Sequence, residues 1–280
     1  MNRRKFLALY NLKWDPFAQE LPSEALWASK KTNHFMWRLD HHISRGGFAL
    51  ITGDLGSGKS VAMRIIAEHF GHMRDVSVGV IDRPQSKVTD FYREMGEIFN
   101  VNLSPHNRWG GFKTLRDRWK SHVETTLMRP ILLIDEAQEA KPETLCELRL
   151  LQSADFDSTS YLTVVLCGDQ RLLDLLRHPA LLPLESRIRI RLNVGHPTRE
   201  ELLELLDHVL QKAGNRDLLT QEVMETMVDH AAGNIRTLMN MGSELLLAAA
   251  ATEAPHIDEK LYLEVFGAPP ARPKKARRAR

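Results

Sequence analysis

Four short apolar runs punctuate the first part of the chain: residues 48–52 (FALIT), 76–81 (VSVGVI), 130–134 (PILLI) and 162–167 (LTVVLC). Each is only a few residues long, and together they read as strands buried on both faces. Between them the apolar residues recur at helical spacing. The predicted helices are 59–70, a stretch capped by Ser86 or Thr89 and running to Phe99, 112–128, 142–154 and 170–177. In the third of these, Leu115, Trp119, Val123 and Leu127 share one side. Residues 100–111, with Pro105, Gly110 and Gly111, read as a loop. A fifth strand follows a different rule: Ile188, Ile190 and Leu192 alternate with Arg189 and Arg191, giving one apolar and one basic face. Strands alternating with helices predict an α/β fold, a mostly parallel sheet covered by helices on both sides.

Beyond Pro197 the strand pattern stops. Residues 198–213, 220–231, 234–252 and a short 258–266 all have helical spacing. The expected organisation is an α/β core with an N-terminal extension over 1–196, a small helical domain over 197–267, and a tail over 268–280. The tail holds Arg272, Lys274, Lys275, Arg277, Arg278 and Arg280 with three prolines and no acid, a composition that predicts disorder. It accounts for the formal net charge of +2, so the rest of the chain is net acidic. No internal repeat is found.

Composition excludes some classes. No run approaches the ~18 consecutive apolar residues of a membrane span. The N-terminus begins with basic residues, but Asn11, Lys13, Trp14 and Asp15 break any signal-peptide apolar region. The two cysteines, Cys146 and Cys167, make no CxxC pair, which points to a reducing cytoplasm without a zinc site or disulfide framework.

Chemistry concentrates at two strand ends. Gly53-Asp54-Leu55-Gly56-Ser57-Gly58-Lys59-Ser60 fits the pattern GxxxxGK[ST] and lies between the first strand and a helix. Its glycines let successive backbone N–H groups face a phosphate, and the helix N-terminus adds a favourable dipole. Lys59 supplies a point charge for the β- and γ-phosphates, and Ser60 a hydroxyl ligand for Mg²⁺. The ligand implied is ATP with Mg²⁺. Asp135 and Glu136 emerge at the C-terminal end of the third strand, where ligands bind in open α/β sheets. Asp135 is placed to hold Mg²⁺ through water, and Glu136 to orient and deprotonate the attacking water.

These pieces resemble the AAA+ superfamily, and within it the group containing ExeA-type ATPases and the transposition regulators MuB, TniB and TnsC. The matching segments are Asp15-Pro16-Phe17, Gly46-Gly47-Phe48 leading into 52–60, and Leu133-Ile134-Asp135-Glu136-Ala137-Gln138. Further matches are Val165 to Leu172, Ser186-Arg187-Ile188 and Gly233-Asn234-Ile235-Arg236. Together they span about residues 10–250. The resemblance implies an AAA+ core followed by a helical lid. It also implies that Arg187 is the finger reaching a neighbouring subunit's γ-phosphate, with Arg189 as the alternative, and that Arg236 is the lid arginine. Asp169 or Gln170 takes the polar position after the fourth strand, where such proteins usually carry a neutral polar group.

The resemblance further implies a slow regulatory ATPase. It forms a homo-oligomeric ring or filament with ATP on double-stranded DNA and recruits or activates a transposase, with a target-selection protein as a further partner. Lys113, Arg116 and Lys120, at i, i+3 and i+7 beside Arg108 and Trp109, are the expected DNA contacts; on charge pattern alone they are a solvated helix face. The alternatives are an ExeA-like secretion or envelope ATPase and a replication-loader or signalling NTPase. ExeA chains carry a membrane span and a peptidoglycan-binding domain after the ATPase, and that contrast favours the transposition group.

Overall fold

A computed structural model describes residues 3–84, 87–102, 108–154 and 158–267. The strands are β1 (Gly47–Gly53), β2 (Val76–Ile81), β3 (Arg129–Ile134), β4 (Ser153–Ala154), β5 (Thr159–Ser160), β6 (Thr163–Gly168) and β7 (Ile188–Val194). Five of them form one sheet in the order β2-β3-β6-β1-β7, with every neighbour pair parallel. β1 and β3 therefore flank β6, so the ends of all three meet at one edge of the sheet. β4 and β5 pair separately as a two-residue antiparallel ribbon.

Helices cover both faces of the sheet, as apolar runs without a polar side require. On one face lie α2 (Lys30–Ile43) and α3 (Lys59–Gly71), whose Phe35, Leu39, Ile66 and Phe70 meet Ala49, Ile51, Ile131 and Val165. On the other lie α4 (Val88–Ile98), α5 (Arg108–Thr125), α6 (Pro142–Gln152), α7 (Gln170–Leu176) and α8 (Leu182–Glu185). Their Phe91, Trp119, Leu148 and Leu172 pack on Phe48, Leu50, Leu132 and Val164.

Three local expectations change. α5 starts at Arg108, so Gly110 and Gly111 lie inside a helix instead of a loop. Gly111 packs against Tyr92, and Arg108 is anchored to Glu147 by a side-chain hydrogen bond, contacts that pattern does not reveal. Thr89 does not cap α4: the N-cap position is Lys87, and Ser86 lies outside the described residues. The helix expected to reach Ala154 stops at Gln152, because Ser153 and Ala154 enter the small ribbon.

The helical region consists of α9 (Arg199–Ala213), α10 (Gln221–Ala231), α11 (Ile235–Thr252) and α12 (Glu259–Phe266). Each begins on a side-chain cap, from Thr198, Thr220, Asn234 and Asp258 respectively, and Thr198 with Glu201 closes a full capping box. Such caps are worth ~1 kcal/mol each and fix where these helices start. The N-terminal stretch also belongs to this cluster. After α1 (Arg3–Leu9), residues Tyr10, Leu12 and Phe17 pack among the helical region's side chains, with Phe17 against Gly242. Asp15 accepts a hydrogen bond from the Phe17 N–H (2.9 Å) and so shapes the turn that aims the ring. The basic tail, 268–280, lies outside the described residues.

Candidate functional site

The loop after β1 turns sharply into α3. Gly56 and Gly58 have φ of +79° and +100°, a left-handed backbone that costs an ordinary residue energy. A Cβ on Gly56 would also collide with the Asn234 side chain. Lys59 opens α3 and is only 6% exposed. Its ammonium donates to the Asp54 carbonyl (2.9 Å), a weak neutral partner for a full charge. The Ser57 hydroxyl is buried and has no protein partner. A buried cation, an unpartnered hydroxyl and a helix N-terminus at one turn fit a phosphate group.

The helical region closes over this loop. The Ile235 N–H donates to the Gly56 carbonyl (3.0 Å), and His196 Nε2 lies 3.3 Å from an Asp54 carboxylate oxygen. Between loop and helices runs a cleft of ≈ 540 Å³. Its lining includes the apolar Leu21, Trp27, Val61, Ile65, Leu205 and Met239 and the polar Lys59, Ser60, Glu136 and Arg236. A lining that combines apolar side chains with cations suits a nucleotide, whose base takes the former and phosphates the latter.

Asp135 and Glu136 emerge where β3 ends. The Asp135 N–H continues the ladder to Ile81 (3.0 Å), and Asp135 Oδ1 accepts from the Glu136 N–H (2.9 Å). Glu136 has φ +49°, a conformation that a non-glycine residue adopts at a cost of ~1 kcal/mol or more. Its carboxylate accepts a hydrogen bond from the Gln138 amide. Behind them the Cys167 thiol is held protonated, chiefly by burial and then by the neighbouring Asp135 charge.

The remaining residues expected at the site are placed unequally. Arg236 is exposed and lines the cleft. Arg187 does not line it, and its guanidinium donates to the Pro183 carbonyl. Asp169 caps α7 and binds Arg171 through both backbone and side chain. Burial opposes its ionisation, but the Arg171 hydrogen bonds outweigh this and hold its carboxyl below the usual range. Gln170 is exposed. Lys113 and Lys120 are exposed on the outer side of α5, and Arg116 sits 5.2 Å over the Phe112 ring. That ring is stacked on Trp109, which is 73% exposed. Arg108 does not share this surface role, because Glu147, buried and also bonded to the Tyr92 hydroxyl (2.8 Å), engages it. Sequence reasoning missed the apolar wall from Leu21 and Trp27, and the His196–Asp54 and Gln138–Glu136 contacts. Only the apolar residues of the N-terminal extension could have signalled the first.

The match to known families agrees with this geometry. Residues 41–176 match the family described as AAA domain. Over this stretch, a little under half of its length, the chain is similar to AAA domains, and it is an ATPase. Among curated proteins, it is 27% identical over 256 residues to general secretion pathway protein A of Aeromonas hydrophila. That match covers 90% of this chain but 46% of the relative, so the chain spans about half the relative's length. The AAA fold recurs in solved structures of low identity. Cdc6p of Pyrobaculum aerophilum superposes with a TM-score of 0.70 at 15% identity, covering 91% of this chain and 72% of that one. The Drosophila ORC bound to DNA gives 0.67 at 13%, covering 93% and 65%. A RuvB variant of Thermotoga maritima gives 0.58 at 19%, covering 86% and 68%. An ATPase binds and hydrolyses nucleotide, and the cleft beside the 53–60 loop presents groups suited to that chemistry. Among the described residues no helix is long and apolar enough to cross a membrane, and no three or more His, Cys, Asp or Glu side chains cluster as a metal site of their own.

Proposed function

We propose that the chain is a cytoplasmic, ATP-controlled regulator of transposition, which oligomerises with ATP on double-stranded DNA and recruits or activates a transposase together with a target-selection protein. In this reading Gly53 to Gly58 and Lys59 grip the phosphates, and Ser60 and Asp135 hold Mg²⁺, which when bound offsets phosphate charge. Glu136 accepts the proton of the attacking water. Arg236 reaches the phosphates from the lid, and Arg187 reaches them from a neighbouring subunit; its position outside its own cleft suits that use.

The observation that carries the DNA reading is the outer side of α5. Trp109, Phe112 and Arg116 form a continuous stack flanked by Lys113 and Lys120. Planar rings interleaved with cations suit a nucleic acid better than a merely solvated helix face. A second reading, an ATPase of a secretion system, draws on the resemblance to general secretion pathway protein A.

Co-sedimentation with random-sequence duplex, in ATP, ADP and no nucleotide, tests the choice. The transposition reading expects salt-sensitive binding with ATP. Absence of binding at low salt in all three states defeats it and leaves the secretion reading.

A further inference from the structure

We propose that Gln138 is the positioning residue that aims Glu136 for hydrolysis, and that Gln138, in place of Asp169 or Gln170, supplies the neutral polar group at the C-terminal end of β6. The proposal rests on the reading of Glu136 as the proton acceptor.

The backbone of Glu136 is pinned on both sides. Its N–H donates to Asp135 Oδ1 (2.9 Å), and its carbonyl accepts from the Glu139 N–H (2.9 Å). Its φ of +49° turns the side chain off the line of β3. The hydrogen bond from the Gln138 amide nitrogen is then what orients the carboxylate. The other end of that amide is also fixed: Gln138 Oε1 accepts from the Asp169 N–H (3.3 Å). A backbone N–H can only donate and a carboxylate can only accept, so one orientation of the carboxamide satisfies both. The amide thereby bridges the end of β3 to the end of β6.

Gly168 makes room for it. A Cβ at that position would run into Gln138 Oε1, so a side chain there would expel the amide. The two alternatives after β6 are otherwise engaged. The Asp169 carboxylate is bound by Arg171, which also reaches Glu139 (2.9 Å), and Gln170 faces solvent. A carboxamide is the side chain that can donate to one partner and accept from the other at this reach. Glutamate has the same shape but no donor, and would set two carboxylates face to face.

The test uses the full chain carrying Gln138→Ala or Gln138→Glu, each also combined with Glu136→Gln. Phosphate release gives kcat, titration with a fluorescent ATP analogue gives affinity, and thermal melting confirms folding. Gln138→Ala is expected to lower kcat about tenfold with nucleotide affinity within about twofold. Gln138→Glu, nearly identical in volume, is expected to lower kcat further, which a packing role would not produce. In the Glu136→Gln background neither change lowers the residual rate, because the carboxylate through which Gln138 acts is gone. Wild-type kcat in Gln138→Glu, or equal losses with and without Glu136, would overturn the proposal. Should Gln138→Ala melt early, the isosteric variant carries the comparison. Wild-type turnover in Glu136→Gln alone sinks the proton-acceptor reading itself, whereas a slow Glu136→Gln with a fast Gln138→Glu sinks only the role of Gln138.

Discussion

The nucleotide cleft and the outer side of α5 both present cations, and they hold them in opposite ways. Lys59 is buried at the helix start with a backbone carbonyl as its partner. Lys113 and Lys120 stand in solvent, and Lys120 lies 4.0 Å from Glu124. Two charges 4 Å apart interact by ~1 kcal/mol in water and ~4 kcal/mol at the effective dielectric near a protein surface. The cleft therefore holds one desolvated charge, while on the proposed reading α5 would contribute many small, screened contacts that matter only when summed over an assembly. Burial, more than the number of charges, decides which substitution is felt.

The sharpest way to break this comparison is Glu136→Gln. The amide keeps the hydrogen-bonding shape but cannot take a proton, so turnover should fall by about 10²-fold or more while ATP still binds. Phosphate release measured beside nucleotide titration reads both quantities, and unchanged turnover removes Glu136 from the chemistry. Lys59→Ala comes next. Losing a charge-assisted interaction of ~1.5–3 kcal/mol should weaken nucleotide binding at least roughly tenfold, at low and high salt alike. An affinity equal to wild type would sink the assignment of the loop.

His42 extends the rule to a group kept neutral. It is buried, and its pKa is lowered to about 4 by burial first and then by Arg189, Arg45 and Arg38. The unfolded chain takes up the proton near pH 6.5 and the folded one does not, so stability present at neutral pH is lost as pH falls through that window. From pH 6.5 to 5.5 the loss is about 1 kcal/mol. Chemical denaturation across this range should show it, and His42→Phe should flatten the slope; equal slopes would remove His42 as the cause. The smallest effects belong to α5. Alanine at Lys113, Arg116 or Lys120 should cost DNA affinity only a few-fold each and reduce the salt slope by about one for each phosphate left without its cation. A single substitution there that abolished binding would contradict the picture of summed weak contacts.

Four strands of the sheet were legible because they lack a polar side, β7 because apolar and basic residues alternate along it, and the helical region because Thr198, Thr220, Asn234 and Asp258 announce each helix. The phosphate loop was legible because its glycines and lysine are contiguous. What escaped depends on residues far apart in the chain. Arg108 reads as one more surface cation until α6 brings Glu147 beneath it. Asp169 is a local exception: it reads as a candidate for the cleft, but its carboxylate is bound by Arg171, two residues on. The contact of Gln138 with Asp169 joins two strand ends that become neighbours only through the order β3-β6-β1. The N-terminal extension has no regular period, so its place against the lid rests on single side chains such as Phe17.

That placement has a mechanical consequence. The chain crosses between lid and core twice: once between Phe17, seated on the lid, and α2, seated on the sheet, and again between β7 and α9. Two attachments define an axle where one would leave a swivel. The helical region is thus tied to the sheet along one line, and any rotation about that line would widen or narrow the cleft.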